Sequence, residues 1–138
     1  MPAKVVLMVS SAIMNDGKLL VVRRSSHEEF LPGYWTITGG KFEEFDASVA
    51  DGVHREALEE TGLDVEVVRP LIVDEFRRDD RPGVVAVEIT FLCVPREIKN
   101  IRLSPDEHDV YRWIREEEID SLDPMTDFTR SKLKKFFV

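Results

Sequence analysis

The segment Arg55-Glu56-Ala57-Leu58-Glu59-Glu60-Thr61-Gly62-Leu63 gathers three carboxylates and a guanidinium within six residues. On a helix, at about 100° per residue, Glu56 and Glu60 fall on one stripe with Glu59 beside them, while Val53, Ala57 and Leu58 lie towards the other side. Like-charged neighbours at this spacing cost a helix roughly 0.2–0.5 kcal/mol per pair, so a compensating cation is expected. Arg55 supplies one positive charge and a divalent metal would supply two more. Oxygen-only ligands suit hard cations, and Mg²⁺ takes one or two carboxylates together with waters and substrate phosphate oxygens. Glu56 and Glu60 are the first candidates for ligands, on a helix face read as exposed. Gly52 lies four residues before Glu56 on the same stripe, where a missing side chain lets another backbone segment approach; Gly39-Gly40 is the candidate segment. Glutamate-rich helix faces are commonly plain solvated surface. This one is set apart by the Gly-Gly upstream and the Gly-Leu that closes it.

The elements that must position these residues read as one α+β domain over residues 1–138, with no internal repeat, low-complexity tract or Gly/Ser-rich linker. Val5 to Met14 reads as a strand, Asn15-Asp16-Gly17 as a hairpin turn and Lys18 to Arg23 as the returning strand. Tyr34 to Thr38 is a short strand ending at Gly39-Gly40. Ala47, Ala50, Val53, Ala57 and Leu58 recur at helical spacing, which predicts a helix over about Ala47 to Thr61 capped by Gly62. Val65 to Val68, Leu71 to Phe76, Val84 to Val94 and Val110 to Ile114 read as further strands. Glu116 to Ser121 is one or two helical turns, and Phe128 to Phe137 an amphipathic helix with Leu133, Phe136 and Phe137 inward. This order argues for helices packed on a mixed sheet.

Composition narrows the partners. Nineteen Lys and Arg stand against 27 Asp and Glu, a net charge of -8, so the field of the chain repels duplex nucleic acid. A polyanionic small substrate would need a multivalent cation to meet an acidic site. The single cysteine, Cys93, lies in an apolar run, reads as a small buried hydrophobe and fits a reducing cytoplasm. Val5 to Met14 is too short to cross a bilayer, and no membrane anchor or export signal is expected.

Gly40 through Leu63 resembles a Nudix box, the family's Gly, Glu, Arg-Glu, Glu-Glu and Gly pattern, and Arg55 to Leu63 matches it at every defining position. Asp16 to Arg24, Pro32 to Thr36, Glu107-His108 and Arg112 to Ile114 resemble the family's flanking strands and late loop. Three features depart from the pattern: the box is one residue longer between Gly40 and Arg55, Asp46 stands near the usual first glutamate, and Thr38 replaces a common proline. The resemblance implies a Nudix fold, with a mixed β-sheet sandwiched between helices. It also implies a hydrolase that cleaves a nucleoside diphosphate linked to another group, with nucleoside triphosphates or their modified forms slightly favoured by the short chain.

By the same resemblance, Glu56, Glu59, Glu60 and the Gly40 carbonyl hold Mg²⁺ or Mn²⁺, and Arg55 orients a glutamate. The general base is either a box glutamate or a later loop carboxylate, for which Glu107 is the candidate; His108 reads as structural or surface. Glu43 is placed near the site; Arg23 and Arg24 end a strand that leads towards the cleft, where either they meet substrate phosphate, Arg23 before Arg24, or they are edge-strand charge. Arg77, Arg78 and Arg81 crowd a hairpin where they either meet phosphate or protect a sheet edge. Tyr34 and Trp35 either stack on a base or belong to the core. A homodimer is carried as an expectation because dimers are common in the family. Two further functions stay open: a nucleotide-sensing module without turnover, and a non-hydrolytic enzyme such as an isomerase, for which Cys93 is a poor candidate.

Overall fold

Two layers of core are divided by β1. The computed structural model describes residues 4–137. β1 (Lys4–Asn15) runs parallel to β6 (Val84–Pro95) from Lys4 opposite Val84 to Ile13 opposite Cys93, and antiparallel to β4 (Thr38–Lys41). β5 (Val65–Phe76) pairs antiparallel with the far side of β6. β2 (Lys18–Arg24) leaves β1 through a turn in which Asp16 and Gly17 both have positive φ (53° and 73°), the geometry whose twist suits a two-residue hairpin. β2 is flanked by β3 (Trp35–Thr36) and β7 (His108–Ile114).

Alternation along the strands sends neighbours to opposite faces. Ile13 and Leu20 join Val9, Val53, Ala57, Leu63, Val65 and Cys93 under α1 (Val49–Thr61). Ala12, Leu19 and Val21 join Trp35, Ile119, Leu133 and Phe136 under α2 (Asp127–Lys134) and the 3₁₀ turn Glu116–Ser121. The predicted sandwich of a mixed sheet between helices is thus the observed α+β architecture. Leu133 and Phe136 are buried as expected, and Phe137 packs partly buried against the same core.

α1 begins at Val49 rather than Ala47 because the Ser48 hydroxyl accepts the Asp51 amide (3.0 Å) and caps it. It ends where Gly62 turns left-handed (φ 76°) and the Thr61 hydroxyl donates to the Ala57 carbonyl (2.6 Å). The box's extra residue is therefore taken up ahead of an uninterrupted helix, and the carboxylate stripe keeps its phase.

Besides α1, α2 stops at Lys134, short of the expected end at Phe137, and three strands differ from the sequence reading. The strand expected over Tyr34 to Thr38 breaks at Ile37, and its second half continues through Gly39 and Gly40 as β4. A Cβ on Gly39 would stand 2.7 Å from the Val9 carbonyl oxygen and 2.8 Å from the Ser10 Cβ, so only glycine lets β4 lie this close to β1. The two strands expected on either side of Pro70 are one, β5, because register shifts around Val67–Arg69 and Pro70–Ile72 absorb the proline on an edge strand. β7 starts at His108, two residues early, because His108 pairs with Arg24.

Candidate active site

A cleft of about 520 Å³ opens where the end of α1, β4, the loop before β7 and α2 converge. Gly39, Gly40, Glu60, Glu107 and His108 line one end; Tyr34, Glu88, Phe128 and Lys132 line other parts of its wall.

Glu60 is the centre of the acidic end. The helix face was read as exposed, but Glu60 is only 4% exposed because α1 turns this side towards the sheet. One of its carboxylate oxygens, Oε2, is buried without a hydrogen-bond partner. Burial pushes its pKa well above the usual carboxylate range, the neighbouring Glu56 and Glu107 push further, and only the Gly39 amide opposes them. Glu56 is shifted up as well, first by burial and then by Glu59 and Glu107, against the pull of Arg55. Carboxylates gathered in this way call for protons or a cation.

Glu56 is held from two sides. Its carboxylate occupies the space a Cβ on Gly40 would need, 2.6 Å from that position at Oε2. Arg55 donates to Glu56 Oε1 (3.0 Å) and to Glu59 Oε2 (3.3 Å). Arg55 is itself gripped by Asp46 through Nε (2.8 Å) and Nη2 (2.9 Å), a two-pronged pairing that fixes the guanidinium plane and holds the Asp46 carboxyl below its ordinary range. Gly52 makes room for this: a Cβ there would lie 3.0 Å from Asp46 Oδ2 and 3.2 Å from Phe42 Cδ1. The segment that approaches Gly52 is therefore the one carrying Phe42 and Asp46, not Gly39-Gly40, which packs one turn further along against Glu56.

Glu107 reaches the site on a loop tied at both ends. The Ser104 hydroxyl donates to the Glu59 carbonyl (3.1 Å), the Ser25 amide donates to the Glu107 carbonyl (2.8 Å), and the Ser25 hydroxyl donates to the Asp106 carbonyl (3.0 Å). Glu60, Glu107 and His108 each place a ligand atom within 4.8 Å of the others. His108, read from sequence as structural or surface, is buried with Nδ1 unpartnered, 4.0 Å from Glu60 Oε1. Burial first, then Arg24, lowers its pKa to about 4, so the ring is neutral at pH 7 and offers a lone pair. Two orphaned polar atoms facing a group of carboxylates fit a divalent cation, which oxygen and neutral imidazole ligands both accept.

The structure thus brings together Gly40, Glu56, Glu60 and Glu107, with Arg55 behind them. The Glu59 side chain stands at the rim, 57% exposed. Glu43 does not line the cleft; its amide donates to Asp46 Oδ2 (2.9 Å) and shapes the loop. Arg23 pairs with Asp109 (3.0 Å) and is absent from the cleft wall, whereas Arg24 lines it, since adjacent strand residues face opposite ways. Of the aromatic pair, Trp35 is in the core and Tyr34 is half-buried on the cleft. Of the Arg23–Arg24 pair expected near substrate phosphate it is thus Arg24, not the favoured Arg23, that lines the cleft; His108 was not expected there, and its adjacency to Glu107 is the one sequence signal for it.

The NUDIX domain family model matches residues 5–136. Among curated proteins the chain is similar to the isopentenyl-diphosphate Delta-isomerase of Clavibacter michiganensis subsp. michiganensis, 31% identical over 75% of this chain and 54% of that protein. It is also similar to a MutT-like protein of Streptomyces ambofaciens, 30% identical over 86% of this chain and 68% of that protein. The solved structure of a MutT protein from Methanosarcina mazei Go1 superposes with a TM-score of 0.81 at 26% identity, covering 99% of this chain and 95% of that one. The chain belongs to the NUDIX domain family. It spans about half the length of the curated isomerase it matches. Among the described residues no helix is long and apolar enough to cross a membrane.

Proposed function

We propose that this chain is a metal-dependent pyrophosphohydrolase that cleaves a nucleoside diphosphate linked to another group, a nucleoside triphosphate or modified triphosphate before the others. The observation that carries the reading is the junction of Glu60 and Glu107, backed by Glu56, at one end of a cleft of about 520 Å³, a volume that can take a nucleotide. Glu56, Glu60 and the Gly40 backbone are the residues that would hold Mg²⁺ or Mn²⁺, with Glu59 reaching from the rim, and Glu107 and His108 stand beside that site. When bound, a divalent cation supplies positive charge to the phosphate oxygens and makes water more acidic. Arg55, clamped by Asp46, keeps Glu56 in place against Gly40. Glu107 takes the proton of the attacking water, because its loop brings a carboxylate that is free of any Lys or Arg ion pair among the described residues. Water adds to one phosphorus as the bridging oxygen of the anhydride leaves, giving two phosphate products.

The expected partners are small-molecule nucleotides, with no duplex nucleic acid and no membrane; a homodimer and a cytoplasmic location belong to the same proposal. The isomerase name of the curated relatives marks a different chemistry. Moving a carbon–carbon double bond requires an acid and a base aimed at carbon, and Cys93 is a poor candidate for either, because it is buried under α1, does not line the cleft and has its thiol pushed up to about 12 by burial. The test is cleavage across a nucleotide panel with Mg²⁺ or Mn²⁺ against an EDTA control, with products separated by chromatography. Metal-dependent release of a nucleoside monophosphate is expected; binding without turnover would support a sensor instead.

A further inference from the structure

A second groove, of about 320 Å³, opens beside the cleft. Its floor is apolar: Val6 and Met8 of β1 next to Val84 and Ala86 of β6, two parallel neighbours showing alternate residues to one face. Lys4, Lys41, Arg78 and Arg81 line it, and no carboxylate does. Arg78 pairs with Asp80 of its own hairpin. Among the described residues, Lys4, Lys41 and Arg81 have no carboxylate oxygen within 4.0 Å of their charged ends. Three cations without a carboxylate partner, Lys4, Lys41 and Arg81, stand around one apolar floor in a chain of net charge -8, and an anion bound among them would relieve their mutual repulsion. Protection of sheet edges asks for charges pointing outward along a strand, not for cations from β1, β4 and the β5–β6 hairpin converging on one hollow.

The groove is continuous with the cleft. Met8, Phe76 and Arg78 line both. Lys41 stands opposite Met8 across the β1–β4 pairing, on the sheet face that Met8 shows to both hollows. A molecule seated in the cleft can therefore extend past Met8, Phe76 and Arg78 into the groove. We propose that the groove binds a second phosphate of the substrate, remote from the anhydride that is cleaved, so that the preferred substrate carries an additional phosphomonoester or a longer phosphate chain. The guanidinium of Arg81 supplies the paired donors that match phosphate, and Lys4 and Lys41 add point charges. The inference rests on the hydrolase reading for its kinetic test but not for its binding test.

The kinetic test compares substrates that differ by one phosphate, NADP⁺ against NAD⁺ for a phosphomonoester and adenosine tetraphosphate against ATP for a longer chain, in Mg²⁺. In at least one pair, kcat/KM for the more phosphorylated member is expected to exceed its twin's by about ten-fold or more at low salt. The Lys4→Gln/Lys41→Gln/Arg81→Gln variant, whose three sites are exposed, should reduce that ratio towards one by raising KM for the more phosphorylated member. The binding test titrates inorganic pyrophosphate calorimetrically in EDTA, where saturable binding that the triple variant loses is expected. Such binding without turnover of any panel member supports the groove and removes the hydrolase reading. Turnover with ratios near one in both pairs, or pyrophosphate binding equal in the two proteins, overturns the groove and leaves the hydrolase standing.

Discussion

Replacing Glu60 with glutamine separates what the residue does for the fold from what it does for catalysis. In the metal-free protein its carboxylate is buried, has Oε2 without a partner and faces Glu56 and Glu107. An unpaired buried polar group costs about 1–3 kcal/mol and more when charged; glutamine removes the charge that Glu56 and Glu107 repel and offers them an N–H donor, so Glu60→Gln should stabilise the metal-free protein by an amount of that order at pH 8. For a chain of this length, at about 3–5 °C per kcal/mol, the gain is roughly 3–15 °C in Tm. The pH dependence has a fixed sign. The folded pKa of Glu60 lies above the unfolded value, so the folded state holds this proton more tightly, and its stabilising effect is complete below the unfolded pKa. As pH rises from about 4.5 towards the folded value, the unfolded chain has already released its proton and stability falls. The gap between Glu60→Gln and the native chain should therefore widen from pH 5 to pH 8 in EDTA, as read by thermal melts. Adding Mg²⁺ should raise the melting temperature of the native chain, leave the variant nearly unmoved, and restore no turnover to it. A variant no more stable than the native chain at pH 8 in EDTA would refute the argument, because it would mean that the Glu60 carboxylate is already satisfied without a cation.

Gly40→Ala places a methyl group where the Glu56 carboxylate lies; displacing that ligand should lower turnover by about 10–100-fold with little change in Tm, read by steady-state kinetics beside a melt. Asp46→Ala frees the Arg55 guanidinium that positions Glu56, and should raise the Mg²⁺ concentration needed for half-maximal activity about ten-fold, while Asp46→Glu retains part of the function. Glu107→Gln should reduce kcat by at least about 10²-fold while leaving nucleotide binding measurable, and should remove the acidic limb of the pH–rate profile if Glu107 is the base. Cys93, buried with its thiol pushed up to about 12, should resist a thiol-reactive chromophore in the folded protein and react stoichiometrically once urea unfolds it.

What was legible in the sequence was local. Gly62 and the spacing of Val53 and Ala57 define α1 by its C-cap and periodicity, which one segment carries alone, and the phase of Glu56 and Glu60 follows from the helix without further information. The hairpin at Asp16-Gly17 is likewise written in residues that accept positive φ. What the sequence concealed depends on pairing between distant segments. Thr38-Gly39-Gly40-Lys41 has little strand propensity, and it extends because β1 lies against it so closely that a side chain at Gly39 would strike Val9 and Ser10. Pro70 divides β5 in any reading by propensity, and only the edge position and register shifts of the folded sheet reconcile it.

The same distinction applies inside the site. An isolated helix would leave the Glu56–Glu60 stripe in water, where the carboxylates would have ordinary pKa values and bind a cation weakly. Burial makes the difference, and it is supplied from outside the box: β4 covers the stripe with two glycines, and the Arg24–His108 pairing delivers Glu107 and a neutral imidazole to its open side. Desolvation raises the free energy of the ionised Glu60 in the empty site, so a cation entering it relieves both the repulsion among three carboxylates and the orphaned Oε2. The proposed metal site is in this sense an instability of the metal-free fold, and the tight pairing of Arg55 with Asp46 lets Glu56 keep its geometry without a cation.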